Sequence, residues 1–122
     1  MTELLTIATR TKGCCQELAD PISAAAAEDA AAILKALADP TRVRMLAILA
    51  GAREPVCVCD FTAAFDLGQP TVSHHLAKLR DAGLVTSEKR GIWAFYALAP
   101  DMPELARNVI VALSFSAPPA AG

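Results

Sequence analysis

A chain of 122 residues is one small domain, with no room for a separate catalytic domain beside it. Its 54% hydrophobic content is largely alanine, leucine and valine, with only 5% aromatics, which favours closely packed helices over a large aromatic-lined pocket. Net charge is −2, so the chain as a whole lacks the basic excess usual for nucleic-acid binding, and only a local positive face could serve that purpose.

Residues 1–22 read as an extension of weak periodicity. Leu4-Leu5-Thr6-Ile7-Ala8 is too short for the apolar core of a signal peptide, and Arg10 and Lys12 follow it rather than precede it. No apolar run approaches the roughly 18–20 residues that span a bilayer. The expectation is a cytoplasmic protein with no membrane partner and with reduced thiols. The first cysteine pair, Cys14-Cys15, lies in this extension.

The domain proper is expected over residues 23–115. Ser23 is placed to cap a helix reaching about Ala38, with Ile33, Leu34 and Leu37 as its buried face. Asp39-Pro40 restarts the chain, aspartate as cap and proline in the first turn, where its missing N–H costs nothing. The next helix, Thr41 to Ala50, points Val43, Leu46 and Leu49 inward and stops at Gly51. Val56-Cys57-Val58 is briefly extended, and Cys59 or Asp60 caps a short helix to about Asp66. After a turn at Leu67-Gly68-Gln69-Pro70, a further helix carries Val72, Leu76 and Leu79 on one apolar seam and ends at Asp81-Ala82-Gly83. Leu84–Glu88 and Trp93–Leu98 form a hairpin whose tip is Lys89-Arg90-Gly91. A last helix, Glu104 to about Phe115, sets Leu105, Val109, Ala112 and Leu113 on one side, and residues 116–122 are expected to be a disordered tail.

A short helix, a tight turn, a longer helix and a hairpin make a winged helix-turn-helix: mainly α with a small β-hairpin. The Val72–Leu76–Leu79 seam holds the longer helix down and turns the opposite face outward. That face offers Thr71, His74 and Lys78, with Gln69 and Ser73 near the helix start, side chains that hydrogen-bond base edges or phosphates in a major groove. His75 lies partly on the seam, so packing competes with reading there. Lys89 and Arg90 suit flanking phosphates or the minor groove; as a plain alternative they are a solvated turn.

Two stretches, Ala36-Leu37-Ala38-Asp39-Pro40-Thr41-Arg42-Val43-Arg44-Met45-Leu46 and Gln69-Pro70-Thr71-Val72-Ser73-His74-His75-Leu76, resemble the two signatures of the ArsR/SmtB metal-sensing repressors. Leu79-Arg80-Asp81-Ala82-Gly83-Leu84-Val85 continues the second. The resemblance covers roughly residues 30–98. It implies a homodimer built on the terminal helices, binding to double-stranded operator DNA, and release when an inducer binds. Val56-Cys57-Val58-Cys59-Asp60 looks like the cysteine motif of the arsenic- and cadmium/lead-responsive members, in the matching place.

The metal-site candidates are therefore Cys14, Cys15, Cys57 and Cys59. Soft ions select thiolates, and the only histidines, His74 and His75, sit in the reading helix. On a regular helix residues two apart point about 200° away from each other, so Cys57 and Cys59 share an ion only if the helix start unwinds or is non-helical. Three thiolates suit As(III) or Sb(III), with Cys14, Cys15 and Cys57 favoured; four, adding Cys59, suit Cd(II), Pb(II) or zinc. The extension is expected to reach the cysteines of the other subunit, as in some relatives that the chain resembles. A redox-sensing repressor would use the same thiols, although Arg53 is the only cation near the second pair. Catalysis is not expected: there is no Gly-rich phosphate loop, no carboxylate pair, and no histidine outside the reading helix.

Overall fold

The computed structural model describes residues 15–116, with side chains through Leu113. Cys14 and residues 117–122 of the tail expected over 116–122 lie outside the described residues. The elements run α1 (Ala24–Leu37), α2 (Pro40–Gly51), β1 (Val56–Cys57), α3 (Val58–Phe65), α4 (Gln69–Asp81), β2 (Val85–Arg90), β3 (Trp93–Leu98) and α5 (Glu104–Ser116). Three antiparallel strands in the order β1-β3-β2 form the sheet, one strand more than the hairpin read from sequence. The extra one is the Val56-Cys57 stretch, whose partners Tyr96 and Phe95 lie some forty residues further on.

Local chemistry sets most boundaries. Ser23 caps α1 by accepting the Ala26 N–H at 3.1 Å, and Asp39 caps α2 by accepting the Arg42 N–H at 3.0 Å. At the end of α4 the Gly83 N–H reaches the Arg80 carbonyl (2.9 Å) and the Leu84 N–H reaches that of Leu79 (3.0 Å). This is the double hydrogen bond of a Schellman turn. It needs a left-handed residue, which Gly83 supplies at φ 80°, and it joins Leu79 to Leu84, both fully buried. The turn fixes the angle at which the chain leaves the helix and enters the hairpin.

The core gathers Met45, Leu46 and Leu49 of α2, Phe61 of α3, Val72, Leu76 and Leu79 of α4, and Leu84, Val85 and Tyr96 around the sheet. Ile33, Ala36 and Leu37 close it from α1, and Ala106 and Ile110 from α5. Two expectations are corrected here. Leu34 is 50% exposed, because Ile33, Ala36 and Leu37 already form the inward stripe and Leu34 lies beside it. On α5 the inward pair is Ala106 and Ile110, while Leu105 and Ala112 face out and Val109 and Leu113 are half-buried. Val43, too, is only half-buried.

Asp39 carries a measurable share of this stability. The Arg42 backbone N–H, and then the charges of nearby His75 and Arg42, hold its carboxyl below its ordinary value of 3.8, outweighing desolvation. A lowered carboxyl stabilises the fold above its unfolded pKa, and that contribution is lost as pH falls through the lower folded value. Asp39→Ala is expected to cost about 1 kcal/mol in urea unfolding at pH 7, and less once pH has fallen through the lowered carboxyl value.

Candidate nucleic-acid interface and thiol site

The face of α4 opposite its buried seam carries Gln69, Thr71, His74 and Lys78, all exposed, with Ser73 half-buried between them. Gly68 caps the helix and Pro70 sits in its first turn, so the start of the helix presents free N–H groups beside Gln69 and Thr71. His75 departs from this face. Its ring is half-buried, with Nδ1 3.2 Å from an Arg42 guanidinium nitrogen and 3.8 Å from the Asp39 carboxylate.

The hairpin corrects the sequence reading by two residues. Lys89 and Arg90 are the last residues of β2, paired with Ala94 and Trp93, and the tip is Gly91-Ile92. Gly91 takes φ 66° there, and Ile92 is 87% exposed. Strand pairing runs on to the tightest turn the chain allows, and that turn falls at the glycine. Lys89 and Arg90 are both exposed. Arg90 lies over the Phe95 ring at 4.7 Å and within 3.5 Å of the Glu88 carboxylate, so Lys89 is the less committed cation of the pair.

Cys57 and Cys59 lie where the sheet meets α3. Cys57 caps α3 in an extended conformation (φ −75°, ψ 148°) and is 5% exposed. Its N–H donates to the Asp60 carboxylate at 3.0 Å. The sequence places the cap two or three residues later, at Cys59 or Asp60; pairing of Val56-Cys57 with Tyr96-Phe95 keeps Cys57 extended and starts the helix earlier in the chain. Because Cys57 is outside the helix, the two side chains need not diverge, and the thiols influence each other's charge. The Cys57 thiol, then local desolvation and the Asp60 carboxylate, push the Cys59 thiol above its usual pKa.

Cys59 is exposed and opens on a groove between α3, the start of α4 and the hairpin, which it shares with Thr62, Gln69, Ser73, Lys89 and Trp93. Cys59 therefore faces common space with Gln69 and Ser73 of α4 and Lys89 of the hairpin, while Cys57 lies buried behind it. Cys15 is exposed in the segment leading into α1. Among the described residues no three His, Cys, Asp or Glu side chains converge as a metal site: Cys57 and Cys59 are brought together, and Cys15 is not brought to them.

The family profile described as "Bacterial regulatory protein, arsR family" matches residues 39–87, a span holding both the thiol pair and the reading helix. The arsenic resistance transcriptional regulator ArsR1 of Pseudomonas putida is 44% identical over 72 residues, 59% of this chain and 56% of its own length. The arsenical resistance operon repressor of Escherichia coli is 42% identical over 78 residues, 64% of this chain and 66% of its own length. The chain belongs to the ArsR family.

The fold agrees with that membership. The homodimeric winged helix-turn-helix DNA-binding domain of a possible ArsR-family regulator from Mycobacterium bovis superposes with a TM-score of 0.63 at 26% identity. The match covers 75% of this chain and 81% of that one. These ArsR-family proteins are transcriptional regulators rather than enzymes. The chain spans between just over half and about two thirds of the length of the two curated relatives. Among the described residues no helix is long and apolar enough to cross a membrane.

The feature that sequence reasoning missed is Arg42. Its Nε donates to the Ala36 carbonyl at 2.7 Å and a terminal nitrogen to that of Lys35 at 3.3 Å. It lies in the ArsR-like stretch Asp39-Pro40-Thr41-Arg42, and an arginine one turn past a helix break is a signal for such capping.

Proposed function

We propose that this chain is a transcriptional repressor that binds double-stranded operator DNA as a homodimer and lets go when trivalent arsenic, or antimony, binds its cysteine thiolates. The observation that carries this reading is the shared groove. Cys59, two residues from Cys57, opens on the same space as Gln69, Ser73 and Lys89, so an ion held by the thiols perturbs the DNA-facing residues beside it. Arsenic is favoured by the names of the relatives and by the chemistry of the donor set, which offers soft sulfur and no imidazole.

Gln69, Thr71, Ser73 and His74 address base edges, while Lys78, Lys89 and Arg90 address phosphates. His75 supports the helix from behind. The exposed apolar side chains Leu34 on α1, and Leu105 and Val111 on α5, supply the surface for a second copy, matching the homodimeric relative. Cys14 and Cys15 complete a three-thiolate site with Cys57, reaching it from the extension of the partner copy, and the same extension, 1–22, is a unit apart from the domain over 23–115. Cys59 sits close enough to act as a fourth ligand for Cd(II) or Pb(II).

Fluorescence anisotropy of the reduced protein on its own promoter DNA, titrated with arsenite and in parallel with cadmium, tests the reading. Release by arsenite at one ion per subunit is expected. Release by cadmium alone would replace it with a four-thiolate sensor, and release by neither would remove ion sensing. In the same assay Lys78→Ala is expected to weaken binding to all sequences alike and to reduce the slope of log K against log salt by about one.

A further inference from the structure

Three elements meet at Arg42. Its guanidinium reaches back to the carbonyls of Lys35 and Ala36, at 3.3 and 2.7 Å, which end α1. Its remaining terminal nitrogen reaches forward to Nδ1 of His75 on α4, at 3.2 Å. The last carbonyls of a helix lack regular intrahelical partners and carry the negative end of its dipole; that of Lys35 already accepts the Ala38 N–H at 3.2 Å, and a cation there is favoured. Arginine is always a donor, so His75 Nδ1 must be the acceptor, and the ring must be neutral with its proton on Nε2.

We infer that Arg42 and His75 are positioning residues: a latch that fastens the reading helix to the end of α1 and holds only while His75 is neutral. This rests on the DNA-binding reading above and adds what sets the angle of its reading helix. His75 is one residue from His74 and three from Lys78, both on the outward face of α4, so a shift of its ring moves the reading surface. Protonation turns Nδ1 into a donor facing a donor. The ring then loses Arg42 and keeps only the Asp39 carboxylate, 3.8 Å away. The charged or titratable groups in contact with His75 are Asp39, the cap of α2, Arg42 in the first turn of α2, and His74 beside it on α4. Asp39 alone among them favours the imidazolium, so the latch trades one α2 partner for another as pH falls. Because α1 also offers the apolar Leu34 to a second copy, the latch runs from the dimer surface to the reading helix.

The first test needs no DNA. Imidazole 15N shifts of the full-length protein at pH 7.5 are expected to show His75 neutral and protonated on Nε2, with an Nδ1 resonance that moves in Arg42→Gln. A ring protonated on Nδ1, or a resonance indifferent to Arg42→Gln, overturns the latch. The second test uses promoter DNA. Arg42→Gln and His75→Leu are each expected to weaken binding about tenfold, the scale of one charge-assisted hydrogen bond, and the double variant no more than either alone. Losses that multiply to about a hundredfold would mean the two side chains act separately and would overturn it. His75→Asn keeps an acceptor without a titrating proton, so it is expected to recover most of the affinity lost in His75→Leu. It should also bind with a flatter decline than wild type between pH 7.5 and pH 5.5. A His75→Asn variant as weak as His75→Leu, or as pH-sensitive as wild type, overturns the latch. Failure of the wild type to bind DNA would strike the DNA-binding reading instead, and the 15N shifts would still decide the latch.

Discussion

Cys57→Ser is expected to abolish arsenite-driven release while leaving DNA binding in place. The two effects separate because of where Cys57 sits. It is the N-cap of α3, extended and 5% exposed, and serine is among the preferred residues at that position. The Asp60 carboxylate accepts the backbone N–H of residue 57, a bond indifferent to the side chain. The helix start therefore survives, and what is lost is the soft sulfur donor. The prediction is checked by anisotropy against arsenite, with helix content followed by circular dichroism. Undiminished release by arsenite would take Cys57 out of the site. Cys59→Ser distinguishes the two ligand sets: it leaves a three-thiolate arsenic site responsive and disables a four-thiolate one. It is expected to leave the fold intact, since Cys59 is exposed.

Phe61→Ala is expected to destabilise the fold by about 3–5 kcal/mol, a large share of the roughly 5–15 kcal/mol available to a small domain. Phe61 is fully buried and stacks on Phe65 with ring centroids 6.1 Å apart. Phe65 in turn lies under the Arg44 guanidinium at 4.5 Å. Through Phe61, α3 packs into the same core as Val72 and Leu76 of the reading helix. The alanine leaves a void at the joint between the thiol-bearing helix and the reading helix. Urea unfolding measures the loss, and a cost below about 1 kcal/mol would mean that the site collapses around the smaller side chain.

Much of this architecture is legible in the sequence because it is local. Asp39-Pro40, the Val72–Leu76–Leu79 seam and the Gly83 stop each declare themselves within a few residues, and each stands as read. Three features were not legible, for a common reason. The α5 helix carries two apolar stripes at i, i+4 spacing, Leu105–Val109 and Ala106–Ile110, and periodicity alone does not say which one meets the core. The smaller pair does, leaving Leu105 outward. The cap at Cys57 depends on strand pairing with Phe95, a contact far away in sequence. The bond from Arg42 to His75 spans thirty-three positions, and no local pattern encodes it. The outward residues of α4, by contrast, follow directly from the seam that faces inward.

The strand that bears Cys57 is two residues long and lies at one edge of the sheet. An edge of that length owes little of its own to the reading surface, which is fixed by the fully buried Leu79 and Leu84 on either side of a glycine turn. If the chain is the repressor proposed above, a lineage could exchange the residues at this margin, and with them the stimulus, while retaining its operators. Input chemistry and DNA address would then be separately heritable within a single small domain.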